Sequence, residues 1–188
     1  AIVLSMIMIL IYVWVRFGRL SYGLGGILAL IHDVIVTFGF VALAGLVYNS
    51  PIGSILMLSN FKIDLAMIAA FLTIVGYSIN DTIVIFDRIR ENRGRLAYAS
   101  VQVINDSLNQ TISRTLFTTG TTLVAALSLY VLGGDGVHGF AFAMIVGCFV
   151  GAYSSIFIAS PLLLFVKVEA PKPAEETQTE ASDDKVTV

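Results

Sequence analysis

Residues 76–94 read GYSINDTIVIFDRIRENRG. The first eleven are mostly apolar, yet Asp81 stands among them beside Asn80, and a dense run of charge begins at Asp87. A carboxylate inside an apolar helix, about two turns before a charged boundary, sets two questions. The first is whether the helix spans a membrane. The second is what holds the acid.

Composition answers the first. Of 188 residues, 57% are hydrophobic and 13% charged, where soluble domains carry about 25% charge. Five apolar runs, about 1–15, 23–48, 65–86, 115–132 and 140–166, are long enough or nearly long enough to cross a bilayer. The expected fold class is an all-α membrane protein, a polytopic bundle of about five spans over residues 1–168. Residues 169–188 hold six acids and two lysines together with Pro171 and Pro173, and read as a disordered acidic tail. Neither the basic body nor the acidic tail suggests nucleic-acid binding. Cys148 is the sole cysteine, so no disulfide forms within the chain, and its apolar setting fits a small packing residue.

Lys and Arg placement gives the expected topology. Arg16, Arg19, Arg88, Arg90, Arg93, Arg95, Arg114, Lys167 and Lys172 fall on one side of five alternating spans, with Lys62 alone on the other. The basic side is expected to be cytoplasmic, which puts the first residue outside and the tail inside. With no signal-peptide pattern at the start, this arrangement calls for at least one span upstream. Between runs three and four lies a polar connector, 87–113. Its stripe Ala97, Val101, Ile104, Leu108 and Ile112 shares one helical face. The pattern fits a short amphipathic helix along the cytoplasmic surface, or a helix packed on the protein itself. In run five, Ala143, Gly147, Gly151, Ser155 and Ala159 recur every four residues. Such a small-residue stripe lets helix backbones approach closely, here as a packing face within one bundle.

The acid is the second question. Asp81 lies ~10 Å along the helix from Arg88, well inside the boundary, and a carboxylate at that depth costs about 2.5–3.5 kcal/mol on insertion scales. Ser78, Thr82 and Tyr77 neighbour it on the helix. The residues leave two roles open: a site on an ion or proton path, or a structural hydrogen-bonding residue. His32 and Asp33 sit ~13–15 Å into run two, a similar depth, so either could face Asp81 across a helix contact. His32 can change charge near neutral pH or simply hold an interhelical hydrogen bond. Arg114 opens run four above Thr115, Thr118, Thr119 and Thr122; it either marks the boundary or turns inward. Asp87–Arg93 reads as a solvated helix end with modest ion pairs. There is no GxxxxGK[ST] and no HExxH, so neither an ATPase nor a metal hydrolase is indicated.

Four stretches in order carry a resemblance: IHDVIVTFG (31–39), GYSINDTIVIFDRIRENRG (76–94), NDSLNQTISRTLFTTGTTLVAALSLYVLGG (105–134) and GFAFAMIVGCFVGAYSSIFIASPLLLF (139–165). Together they resemble the SecF family, subunits of the bacterial SecDF protein-export complex, over about residues 1–168. NDTIVIFDRIREN favours SecF over the related SecD half. The resemblance implies one half of an RND-type membrane domain in the bacterial inner membrane. It also implies six spans, with a large periplasmic domain between the first two, so this chain would begin within the second. SecD, as a separate chain or a fused half, is the implied partner, acting with the SecYEG channel, the SecA ATPase and the translocating polypeptide. The implied activity is use of the proton-motive force to drive export, with protons as coupling ion, no cofactor or metal, and no hydrolytic chemistry of its own. Residue by residue, Asp81 corresponds to the family's intramembrane carboxylate and Arg114 to its basic partner. His32 and Asp33 match a family motif; Asn80, Ser78, Thr82 and Thr118 are supporting polar groups, and Gly147, Gly151 and Ser155 are packing positions. Two other readings stay open: half of an RND-type exporter of lipids or small molecules, and a non-catalytic assembly subunit.

Overall fold

The computed structural model describes residues 2–18, 20–94, 96 and 99–165. The acidic tail expected at 169–188 lies outside the described residues. Seven α-helices follow in order: α1 (Ile2–Phe17), α2 (Leu20–Val47), α3 (Pro51–Ile55), α4 (Leu65–Arg93), α5 (Val101–Leu132), α6 (Asp135–Ser154) and α7 (Ser160–Phe165), with a π-helical turn at Ser155–Ala159 joining the last two. Four helical stretches are long and apolar enough to cross a membrane: Tyr22–Val47, Leu65–Arg93, Val101–Leu132 and Asp135–Phe165. Leu4–Phe17 is a shorter apolar helix.

Local signals set the helix ends. Ser50 caps α3 by accepting from Gly53 N at 3.1 Å, with Pro51 in the first turn. Asp64 caps α4 through Met67 N at 2.8 Å, and Ser100 caps α5 through Val103 N at 3.2 Å. Gly94, at φ +55°, ends α4 in a conformation that favours glycine.

The connector differs from the expectation of a separate surface helix. Residues 101–113 are the first turns of α5 itself, and α4 runs on to Arg93, so only 94–100 link the two helices. No proline interrupts 101–132, so the cap at Ser100 starts one continuous helix. The stripe divides accordingly. Ile104 is buried and Leu108 packs beside it in the core, while Val101 and Ile112 are exposed. Ala97 lies outside the described residues. Where the stripe leaves off, Ser107, Thr111, Thr115 and Thr119 continue the buried face.

Helices α4 and α6 form the centre of the bundle, with α2 and α5 against them. One core cluster gathers Val13, Phe17, Tyr22, Phe86, Ile89 and Ile104 at the charged end. The second gathers Phe71, Ile74, Met144 and Cys148 further along. Charge at the first end is paired: Arg16 with Asp87 at 3.1 Å, and Arg88 with Glu91 at 2.8 Å. Asn92 donates to Ser107 Oγ at 2.8 Å and Gln110 Oε1 at 3.1 Å, tying α4 to the start of α5.

The small-residue ladder lies between α6 and α4. A Cβ added at Gly147 would stand 2.5 Å from two side-chain carbons of Ile74, and one at Gly151 would stand 3.0 Å from Ser78 Cβ. Gly147→Ile therefore cannot be absorbed without parting the two central helices. We expect it to destabilise the bundle by about 3 kcal/mol, at the upper end of overpacking costs, with partial recovery in Gly147→Ile/Ile74→Ala. Thermal unfolding in detergent measures both; wild-type stability in the single variant would contradict the packing.

Candidate functional site

Two carboxylates lie buried in the bundle, on different partners. Asp33, from α2, is 1% exposed. Ser78 Oγ of α4 donates to its Oδ2 at 2.5 Å, and Ser154 Oγ of α6 donates to the same oxygen at 2.8 Å. His32 Nδ1 lies 3.1 Å from Oδ1. A single side chain thus joins three helices, with two hydroxyl donors on one oxygen and the His32 ring beside the other.

Asp81, from α4, is 4% exposed and far less well satisfied. Thr118 Oγ1 of α5 makes a long 3.5 Å contact to Oδ1, and among the described residues buried Oδ2 meets no hydrogen-bond partner. Arg114 sits one helical turn before Thr118, whose hydroxyl also bonds the Arg114 carbonyl at 3.1 Å. The Arg114 side chain is exposed and among the described residues forms no ion pair within 4 Å, though its charge acts on Asp81 at longer range. A buried carboxylate oxygen with no donor is costly while the group is ionised. Asp81 is the buried acid whose state the fold leaves undecided.

The predicted residues therefore fall into two groups. Asp33 meets α4 at Ser78, one turn before Asp81, so neither His32 nor Asp33 faces Asp81 directly. Ser78 belongs to the Asp33 group and Thr118 to the Asp81 group. Thr82 hydrogen-bonds Ser155 at 2.8 Å, so Ser155 is a polar contact as well as a rung of the ladder. Asn80 is exposed and joins neither group. His32 is partly exposed, beside a groove with Phe149 and Tyr153. Tyr77 Oη donates to Thr119 Oγ1 at 3.3 Å, a second polar contact between α4 and α5 one turn from Asp81.

Sequence reasoning missed Ser154. The signal that could have found it is the pair Ser154–Ser155 in an apolar run, six residues before Pro161. Proline has no N–H to bond back along the helix. The chain answers with the π turn at Ser155–Ala159, where Ser160 Oγ donates to Ser155 O at 2.8 Å. Such turns mark functional sites often enough to be worth noting in an apolar span. Among the described residues no group of three His, Cys, Asp or Glu could hold a metal ion.

Comparison with known proteins agrees with this architecture. Residues 1–169 match the family described as "Protein export membrane protein SecD/SecF, C-terminal". The protein translocase subunit SecF of Desulfurispirillum indicum is 43% identical over 169 residues, covering 88% of this chain and 49% of the relative. That of Petrotoga mobilis is 44% identical over 165 residues, covering 87% and 49%. This chain thus spans about half the length of these curated relatives. A crystal structure of SecDF in its super-membrane-facing form superposes with a TM-score of 0.70 at 43% identity, covering 87% of this chain and 20% of that one. A second, of SecDF from Thermus thermophilus, described as a translocon-associated membrane protein, gives 0.67 at 43% identity over 83% and 20%. The fold is an all-α polytopic membrane bundle of the RND type, and the chain belongs to the SecD/SecF protein-export membrane family.

Proposed function

We propose that this chain is the membrane portion of a SecF-type subunit that couples proton movement to polypeptide export through Asp81. The observation that carries the reading is the unsatisfied Oδ2 of Asp81, at the contact between α4 and α5. In this reading the protein lies in the bacterial inner membrane with its basic end in the cytoplasm. It pairs with a SecD half and acts with SecYEG and SecA on a translocating polypeptide. Protons are its only coupling ion, and it performs no hydrolysis.

The mechanism follows from the two carboxylates. Asp33 with Ser78 and Ser154 locks α2, α4 and α6 into one block. Helix α5, the least buried of the four spans, meets Asp81 only through the long Thr118 contact. Ionised Asp81 attracts Arg114 and draws the middle of α5 toward α4, while Asn92 keeps the start of α5 on the end of α4. A proton cancels that attraction and lets Asp81 sit against an apolar neighbour, so α5 relaxes outward. The membrane potential contributes ~2.3 kcal/mol per charge per 100 mV to such a step, enough to shift a two-state packing equilibrium. His32 borders the Asp33 group on its open side and supplies a second ionisable group beside the block.

Two experiments on the full-length protein with its SecD partner test this. Asp81→Asn, reconstituted in proteoliposomes, is expected to abolish the gradient-dependent part of polypeptide translocation while folding normally; export at the wild-type rate under a proton gradient would falsify the coupling role. Asp33→Ala is expected to behave differently. It removes charge-assisted bonds and leaves two buried hydroxyls without their acceptor, so stability should drop by about 3 kcal/mol, with a smaller loss in Ser154→Ala. Thermal unfolding in detergent separates the two: if Asp33→Ala were as stable as Asp81→Asn, Asp33 would not be the clamp.

A further inference from the structure

At the end of the bundle opposite the paired charges, the turn after α5 carries His138 in the first turns of α6. Its two ring nitrogens both meet carbonyl oxygens: Nδ1 lies 3.0 Å from Tyr130 O, and Nε2 lies 2.8 Å from Met57 O. Carbonyls only accept hydrogen bonds, and a neutral imidazole has one N–H. Both contacts are made together only when both nitrogens carry protons.

We infer that His138 is a proton-binding latch: as an imidazolium it clasps the 56–64 loop to the α5–α6 turn through both ring nitrogens, and on losing a proton it gives up one of those two bonds and loosens the loop.

The surroundings are built for a closed, charged ring. Tyr130 O belongs to the last turn of α5, where helix carbonyls lack intrahelical partners and the helix end favours a cation. The imidazole stacks on the Tyr130 ring at 4.1 Å between centroids, and Phe61 of the loop lies 5.8 Å away. Tyr130 Oη, with one proton shared between two carbonyls, lies 2.9 Å from Leu56 O and 3.1 Å from Met57 O, so the phenol and the imidazole meet the same Met57 carbonyl. Met57 reaches that position at φ +54°, a left-handed backbone that side chains seldom adopt. The loop is thus held in a conformation that needs outside contacts to persist. Losing one N–H removes one of those contacts and turns a ring lone pair toward a carbonyl oxygen.

A cavity of about 520 Å³ beside the latch is lined by the charged and titratable groups Lys62 and Asp64 from the loop, Tyr130 from α5, and Asp135 from the start of α6. Because the closed state binds the extra proton, acid closes the latch and rising pH opens it.

Under the function proposed above, this end faces the proton-rich compartment, and only that assignment rests on the earlier reading. The latch itself is tested without transport, so its failure and the failure of Asp81 coupling are separable. The experiment uses the full-length protein in lipid nanodiscs, labelled with 15N-histidine, with His138→Gln identifying the His138 signals by difference. Amide hydrogen exchange over residues 56–62, corrected for the intrinsic pH dependence of exchange, is followed on the same samples. We expect both ring nitrogens to be protonated wherever the loop is protected, and about tenfold loss of protection as the second proton leaves. His138→Phe, which keeps the aromatic stack and removes both donors, should show the low protection at every pH. Asp81→Asn should leave the whole profile unmoved. A neutral His138 beside a fully protected loop, or unchanged protection in His138→Phe, would overturn the latch.

Discussion

Asp33 ties α2 to α4 and α6 through two serine hydroxyls on one carboxylate oxygen, and the arrangement of the bundle depends on that knot. In an apolar surround there is little hydrophobic gain to distinguish one helix partner from another, so close packing and interhelical hydrogen bonds have to do it. The knot provides the hydrogen bonds. The glycines provide the packing, since Gly151 stands directly against Ser78, the same serine that donates to Asp33. A Cβ at Gly151 would stand 3.0 Å from the Ser78 Cβ and 3.2 Å from its hydroxyl, and so would press on the donor itself. The polar contact and the close approach are therefore one constraint seen from two sides.

That constraint is what gives Asp81 its character. With α4 held on one side by α2 and α6, the remaining partner for Asp81 is α5, which meets this level of α4 through Thr118 and the Tyr77–Thr119 pair and is tied to the end of α4 by Asn92. Asp33 and Asp81 have the same chemistry and similar burial, yet one is supplied with donors and the other is left short. The difference lies in their neighbours: two serines of the locked helices in one case, a single threonine of the less buried helix in the other. An acid that is already satisfied gains little by taking a proton, while an acid with an empty oxygen changes its interactions when it does. The fold sorts two identical side chains into one joined to three helices and one left with a single long contact.

Much of this was legible in the sequence, and the boundary of legibility is physical. Hydropathy located the spans, because twenty apolar residues have few other uses. The cost of burying charge singled out Asp81. The four-residue ladder marked Gly147 and Gly151 as packing positions. What failed was whatever depends on how a helix is rotated or continued. The polar stretch 101–113 read as a separate connector, since hydropathy drops there, although nothing in it stops a helix. Asp33 and Asp81 were matched by depth alone, and depth does not say which face each presents. Ser154 carried only a faint local signal, the serine pair ahead of Pro161, and its partner is a carboxylate 121 residues earlier that no local pattern points to.

The π turn shows how such long-range placement is encoded after all. On a helix of 3.6 residues per turn, a repeat of four drifts by about 40° at each step, so Ala143, Gly147, Gly151, Ser155 and Ala159 should wind away from α4. All five are nonetheless buried. The π turn at Ser155–Ala159 closes its backbone over five residues instead of four and so takes back part of the accumulated drift. Pro161 forces that wider turn by withholding an N–H, and Ser160 stabilises it by donating to the Ser155 carbonyl. The result keeps Ala159 facing inward, where its carbonyl would be 3.5 Å from a Cβ at Gly25 of α2. It also leaves Ser154 and Ser155 on adjacent faces, one reaching Asp33 and the other Thr82. Ser154 thus reaches Asp33 from the last residue of α6, at the point where the last span changes its pitch to keep its small-residue face turned inward.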